Sequence, residues 1–254
     1  MKGFVKGNLA VRVFPTRQEM GAAAAQEGAA CLKRLLETRE TINVMFAAAP
    51  SQNELLAGLV ASDVDWSRVH AFHMDDYVGL PADDPRRFPN FLKERLFDLL
   101  PFCSVHCMAE TATEGDGLRA AAEYDALLRQ NPLDVCFMGI GENGHIAFND
   151  PQVADFADPA WTKVVTLDEV CRMQQVHDGC FATLDEVPRQ AMTVTIPALM
   201  SAREVFCVVP TAAKAAAVER VLSGGVDVAC PASILLVHPS ARLYLDAAAA
   251  GRWA

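Results

Sequence analysis

The chain has no run of basic residues longer than a pair such as Lys33-Arg34 or Arg86-Arg87, and its 22 Lys and Arg are outnumbered by 32 Asp and Glu. A net charge of −10 without a basic patch argues against nucleic acid or an anionic membrane as the main partner. It leaves room for an anionic small molecule, which a few local donors can hold. The apolar stretches all fall short of a membrane span. The segment Met1 to Val13 alternates basic and apolar residues and lacks the continuous apolar core of a secretory signal. The cysteines, at 31, 103, 107, 136, 171, 180, 207 and 230, include no Cys-x-x-Cys pair. Cys136 and Cys207 sit in apolar runs, where a thiol behaves as a small hydrophobe. Neither a disulfide framework nor a zinc site is expected, so the chain reads as reduced, cytoplasmic and free of metal and cofactor. There is no internal repeat and no low-complexity linker. Only the Ala-rich tail after Asp246 reads as dispensable.

What is present is a hydrophobic fraction of 52% in 254 residues, enough for a large core in a single domain spanning 1–254. Short apolar runs alternate with amphipathic stretches. Thr16-Arg17-Gln18-Glu19 and Ser51-Gln52-Asn53-Glu54 have the form of capping boxes, opening helices to about Glu37 and Val60. Helical spacing recurs over Phe91 to Leu100, Leu118 to Arg129 and Ala212 to Leu222. Strands are expected at Ile42 to Ala48, Arg68 to His73, Val135 to Met138, Met192 to Ile196, Val205 to Val209 and Leu243 to Leu245. Strands separated by helices indicate an α/β fold, a mainly parallel sheet with helices on both faces. In such sheets the ligand crevice lies at the carboxyl ends of the strands. Four polar clusters fall just there: Ser51-Gln52-Asn53, Asp75-Asp76, Gly139 to Asp150, and Thr211 to Lys214.

Asp75 and Asp76 end an apolar strand in Phe72-His73-Met74-Asp75-Asp76-Tyr77. Alternation points them to different sides, so they do not read as a proton-sharing dyad; one can face the crevice as a base, raised by burial. His145 follows a glycine turn, with Asn143 and Asp150 near enough in sequence to fix its tautomer. Gly139, Gly141 and Gly144 match Gly-x-Gly-x-x-Gly, but Ile146 to Pro151 reads as a loop rather than a helix start, which argues against a dinucleotide. The same glycines can present N–H groups to an oxyanion. The helix start at Ser51 is a candidate anion seat. Lys214, in the first turn of a later helix, is unfavourable against the helix dipole unless an anion is shared there. Gln174, Gln175 and His177 lie in a polar, irregular stretch, about residues 165–187, that reads as a lid. His70, His106 and His238 show no partner pattern and read as structural.

Phe72 to Leu80 and Gly139 to Pro151, in Gly-Ile-Gly-Glu-Asn-Gly-His-Ile-Ala-Phe-Asn-Asp-Pro, resemble the glucosamine-6-phosphate deaminase/isomerase family, which is related to the 6-phosphogluconolactonases. The run Ile146-Ala147-Phe148-Asn149 is similar to the deaminase branch. The resemblance implies a modified Rossmann-like fold and a cofactor-free conversion of an amino-sugar 6-phosphate, of glucosamine or galactosamine, to a ketose phosphate with loss of ammonia. It implies Asp75 as the base between C2 and C1, supported by Asp76. His145, oriented by Asn143 and Asp150, assists ring opening. Lys214 holds the phosphate together with Ser51, Gln52 and Asn53. The family usually has Asp at 143, Glu at 150 and Glu at 76, a Thr-Gly-rich loop where Ala48 to Asn53 stands, and an arginine in the lid near His177. Two other readings compete: a lactonase-like hydrolase needing only His145 and an anion seat, and a catalytically weak phosphosugar-binding regulator. Self-association into a homo-oligomer is compatible with an Ala-rich sheet protein.

Overall fold

A computed structural model describes residues 2–109, 111 and 113–254; Met1, Glu110 and Ala112 lie outside the described residues. The strands are β1 (Lys2–Lys6), β2 (Leu9–Phe14), β3 (Ile42–Phe46), β4 (Val69–His73), β5 (Asp75–Tyr77), β6 (Ser104–His106), β7 (Val135–Met138), β8 (Thr162–Thr166), β9 (Gln190–Val194), β10 (Glu204–Val209) and β11 (Ala241–Asp246). The helices are α1 (Arg17–Leu36), α2 (Asn53–Val60), α3 (Phe88–Leu92), α4 (Glu114–Gln130), α5 (Glu169–His177), α6 (Ile196–Met200), α7 (Ala215–Ser223) and α8 (Ala247–Ala250).

An eight-stranded sheet runs in the order β1-β2-β11-β10-β7-β3-β4-β6. It is parallel throughout except for the antiparallel β1–β2 hairpin at its edge. The central strands are apolar on both sides because both faces are covered. Successive residues of β10 go to opposite cores: Val205, Cys207 and Val209 pack with α4, α6 and α7, while Phe206 and Val208 pack with α1 and α2. Helices on both faces therefore follow directly from strands that are hydrophobic at every position.

The Ala-rich composition of α1 has a packing reason. A Cβ added at Gly58 of α2 would lie 2.4 Å from the Ala25 Cβ, so the two helices cross at backbone distance and admit only small residues. Thr16 caps α1 as its pattern predicts, accepting from the Glu19 N–H at 3.2 Å. Ser51 does not cap α2. Pro50 starts a short 3-10 turn (Pro50–Gln52) instead, Gln52 becomes the N-cap residue without a side-chain cap, and Ser51 is free for the cleft.

Two further expectations are corrected, and one expected helix is found in a modified form. Met192 to Ile196 is not a strand of the large sheet: β9 lies between β5 and β8 in a separate three-stranded antiparallel sheet, and Ile196 already opens α6. Phe91 to Leu100 begins in α3 and continues as a π-turn over Lys93–Phe97. The tail after Asp246 is built in: Ala249 and Ala250 are buried, and Trp253 stacks on Phe4 with centroids 5.5 Å apart. Among the described residues no helix is long and apolar enough to cross a membrane.

Candidate active site

The four strands β4, β3, β7 and β10 are consecutive neighbours, so the four polar clusters that follow them open at one end of the sheet. The chain leaves the large sheet at His73 and enters the small one at Asp75, where Asp75 pairs Thr193 and Asp76 pairs Met192. Period-two alternation then separates the carboxylates. Asp75 lines the cleft. Asp76 turns away, fully buried, and accepts from Arg87 Nε and Nη2 at 2.9 and 2.6 Å and from the Phe88 N–H at 3.1 Å. Burial pushes Asp75 well above the usual carboxylate range, and the neighbouring Asp76 charge pushes the same way. Burial also lifts Asp76, while the Arg87 guanidinium and two backbone N–H groups pull it back.

His73 clamps this junction. Its Nδ1 lies 3.0 Å from the Asp75 carbonyl oxygen, and its Nε2 accepts from the Met108 N–H at 2.8 Å. That pattern requires the neutral ring, and burial lowers its pKa to about 4.

The Gly139 to His145 turn is closed by the Gly141 N–H to the His145 carbonyl and the Gly144 N–H to the Gly141 carbonyl, both 2.9 Å. Gly144 has φ +90°. A Cβ at Gly141 would sit 2.1 Å from the imidazole, so only glycine lets the ring lie flat against the turn. Asn143 is pinned in one orientation: its Oδ1 accepts from the His145 N–H at 3.0 Å, and its Nδ2 donates to Asp150 Oδ1 at 2.9 Å. The His145 Nδ1 therefore meets two acceptors, Asn143 Oδ1 at 2.8 Å and Asp150 Oδ1 at 3.0 Å. This places the proton on Nδ1 and leaves Nε2 as the free nitrogen. Burial acts to raise Asp150, but its hydrogen bonds with His145 and Asn143, the His145 charge and the Asp168 N–H hold it below the usual range. Asn143 thus bonds both ring and carboxylate beside their direct contact, and the one carboxylate in direct contact with the ring is Asp150.

Across the cleft, Gln52 donates from Nε2 to Ser51 Oγ at 3.1 Å and to the Val208 carbonyl at 3.3 Å, while its buried Oε1 has no partner among the described residues. Lys214 is 4% exposed and its ammonium is likewise without a hydrogen-bond partner. Burial lowers its pKa, opposed by the charges of Asp178 and Glu142. The turn that presents it is strained at Thr211, φ +79°. Asp246 holds that turn by accepting from the Thr211 N–H at 3.0 and 3.1 Å, while also capping α8 through the Ala249 N–H at 2.7 Å.

The stretch 165–187 is ordered rather than irregular, and α5 forms its middle. Asp168 caps α5 while its own N–H donates to Asp150 Oδ2 at 3.1 Å, tying the helix to the histidine network. Gln174 Oε1 accepts from the Glu142 N–H at 2.8 Å. Arg172 faces inward onto the Leu184 and Val187 carbonyls. His177 points outward, its side chain 55% exposed and 3.3 Å from Glu142, so it does not reach the cleft.

The resulting cleft has about 540 Å³ of free space open to solvent and gathers Asp75, His145, Ser51, Gln52, Gly139, Gly141 and Lys214. Asn143, Asp150 and Asp76 stand behind it, and Asn53, Gly144 and His177 lie outside it. Sequence reasoning missed Arg87, Asp178 and Asp246. Only Asp246 carried a signal, an N-cap residue type before an alanine run. A ring nitrogen of His145, the Asp150 carboxylate and the Cys171 thiol lie within 4.8 Å of one another, a ligand set of metal-binding type. Burial and Asp150 push the Cys171 thiol well up, and the other two atoms are already bonded to each other, so the trio reads as an internal hydrogen-bonded support.

Residues 15–244 match the family model of glucosamine-6-phosphate isomerases/6-phosphogluconolactonase. Glucosamine-6-phosphate deaminases of Bacillus thuringiensis and Bacillus anthracis are 32% identical over 236 residues, 93% of this chain and 86% of those proteins. Among solved structures, a monomeric glucosamine-6-phosphate deaminase is 26% identical with a TM-score of 0.81, covering 94% of this chain and 98% of that one. The 6-phosphogluconolactonase of Trypanosoma brucei superposes with the same TM-score over the full length of both chains at 19% identity, a likeness of fold.

Proposed function

The chain belongs to the family of glucosamine-6-phosphate isomerases and 6-phosphogluconolactonases, and from that membership we propose that it converts an amino-sugar 6-phosphate to a ketose 6-phosphate and ammonia. The observation that carries the reading is a buried carboxyl, Asp75, facing the same cleft as the free edge of His145 and the unpaired ammonium of Lys214. Lactone hydrolysis needs a histidine and an anion seat, but it gives a second buried acid no task. Carbon-to-carbon proton transfer does.

In this proposal Lys214 and the Ser51 hydroxyl hold the phosphate, with Gln52 orienting the serine by donating to its Oγ. His145 Nε2 takes the proton of the C1 hydroxyl and returns it to the ring oxygen as the pyranose opens, the transient imidazolium being stabilised by Asn143 and Asp150. Asp75, as carboxylate, removes the C2 proton of the open-chain aldehyde and delivers it to C1, while the C1 oxygen takes up a proton from the C2 ammonium. The iminium left at C2 adds water and releases ammonia, giving the ketose. Asp76 acts through position: locked to Arg87, it fixes the strand that aims Asp75. The stretch 165–187, anchored by Asp168 and Gln174, is the cover over the sugar.

The test is ammonia and ketose phosphate formation from glucosamine 6-phosphate and galactosamine 6-phosphate in parallel, with Asp75→Asn as control. Turnover of either sugar that Asp75→Asn abolishes in a folded protein is the expected result, and the preferred epimer is read from the same assay. Turnover indifferent to Asp75, or hydrolysis of 6-phosphogluconolactone in place of ammonia release, would overturn it. Tight binding without turnover of either amino sugar would point to a regulator.

A further inference from the structure

The anion side of the cleft is short of positive charge in a specific way. Lys214 is its one cation among the lining residues, and α5 brings a carboxylate, Asp178, to the same cleft. One turn before Asp178, Gln175 is 6% exposed and lines the cleft with its side-chain amide unpaired among the described residues. Asp178 Oδ2 accepts from Gln174 Nε2 at 3.3 Å, which leaves its other oxygen uncommitted. The only histidine of α5, His177, is turned away to Glu142 and brings no charge inward. The seat therefore offers one ammonium, the Ser51 hydroxyl, a neutral amide from Gln175, the acceptor oxygen of Gln52 and an acceptor-only carboxylate. A phosphate dianion would meet Asp178 as a like charge, whereas a phosphate that keeps one proton has an O–H for it.

Building on the phosphosugar reading, we propose that this seat takes the singly charged, protonated form of a phosphate monoester. Lys214 and Gln175 donate to its oxygens, and the Asp178 carboxylate accepts its hydroxyl. The charged and titratable groups around the seat are Asp178, His177 and Cys171 from α5, Glu142 and His145 from the turn after β7, Asp75 from β5, and Lys214 from the turn after β10. Asp178 is the one of these whose removal changes the preference between the two phosphate charge states.

The experiment is calorimetric titration with sorbitol 6-phosphate, a monoester that cannot isomerise, between pH 5 and 8, with inorganic sulfate as a probe that carries no proton. The expected result is an affinity for the monoester that falls about tenfold per pH unit above its second ionisation, near about pH 6. Sulfate shows no such slope. Asp178→Asn loses the slope and His177→Asn keeps it. A slope that survives in Asp178→Asn, or one that sulfate shares, would place the titration on a protein histidine and overturn the proposal. The Lys214→Met variant separates the two readings. Monoester binding that it abolishes, but that shows no Asp178-dependent slope, leaves the anion seat standing and removes only the charge-state inference. Binding that ignores Lys214, or is absent at every pH, removes the seat itself.

Discussion

At the scale of single residues the cleft holds groups that oppose stability. Lys214 is buried without a hydrogen-bond partner among the described residues, and an uncompensated buried polar group costs about 1–3 kcal/mol in protein contexts. Lys214→Met keeps the apolar stem and removes the charge, so it should raise the midpoint of urea unfolding while weakening phosphosugar binding. The loss of a charged hydrogen bond, about 1.5–3 kcal/mol, corresponds to roughly 10–100-fold in Kd. A variant less stable than the parent would mean that the ammonium has a partner in solution. Gly141→Ala acts differently. Its Cβ would meet the imidazole at 2.1 Å, so His145 must move, and a displacement on the order of 1 Å costs about 100-fold in kcat. An unchanged kcat would show that the ring position is not critical. Asp75, His145, Asn143 and Asp150 were legible because their types sit just after apolar strands and lie close in sequence. Arg87 and Asp178 were not, since each meets its site through a tertiary approach that leaves no local pattern.

At the scale of elements, β3, β4, β7, β10 and β11 of the large sheet were readable because burial on both faces makes them largely apolar, whereas the short, half-exposed β6 was not. The β1–β2 hairpin was harder to see, as β1 lies on the sheet edge and is largely exposed. Of the small sheet only β9 was readable, as the strand expected from Met192, and not its place: β5 has three residues, and its pairing with β9 joins positions more than a hundred residues apart. The apparent capping box at Ser51 failed because Pro50 sets its own short turn, which releases the serine to the cleft. The Ala-rich tail misled in the other direction, since alanine is the residue a close-packed joint needs. Deleting residues 247–254 removes the helix capped by Asp246, the Phe4–Trp253 stack and the Trp253 Nε1–H bond to Glu219 at 2.8 Å. A cap and an aromatic pair together suggest a loss of about 2 kcal/mol. Because Asp246 also holds Thr211, the deletion should raise KM as well. Urea unfolding and steady-state kinetics on the truncated chain check both, and a fully stable, fully active truncation would return the tail to the dispensable class.

At the scale of the whole molecule, the junction between the two sheets sets how stability responds to pH. His73 and Asp75 sit two residues apart at that junction and titrate with opposite consequences. The folded-state pKa of His73 is depressed to about 4 from 6.5, so its contribution is present above pH 6.5 and is lost as pH falls toward 4, about 3 kcal/mol in all. Asp75 has a folded-state pKa raised above 3.8. Its contribution is fully present below pH 3.8 and is lost as pH rises through the raised value, because folding then buries a charge beside Asp76. Asp75→Asn mimics the protonated carboxyl at every pH. It should unfold at a higher temperature than the parent at pH 7–8, with the gain shrinking to nothing on acidification, even though the variant is inactive. His73→Gln should flatten the acid side of the parent curve instead. Thermal melts of the three proteins from pH 4 to 8 decide the matter. Parallel curves for the parent and Asp75→Asn would mean that Asp75 ionises normally in the fold. The base would then owe nothing of its strength to burial, and the energetic link between the sheet junction and proton transfer would be lost.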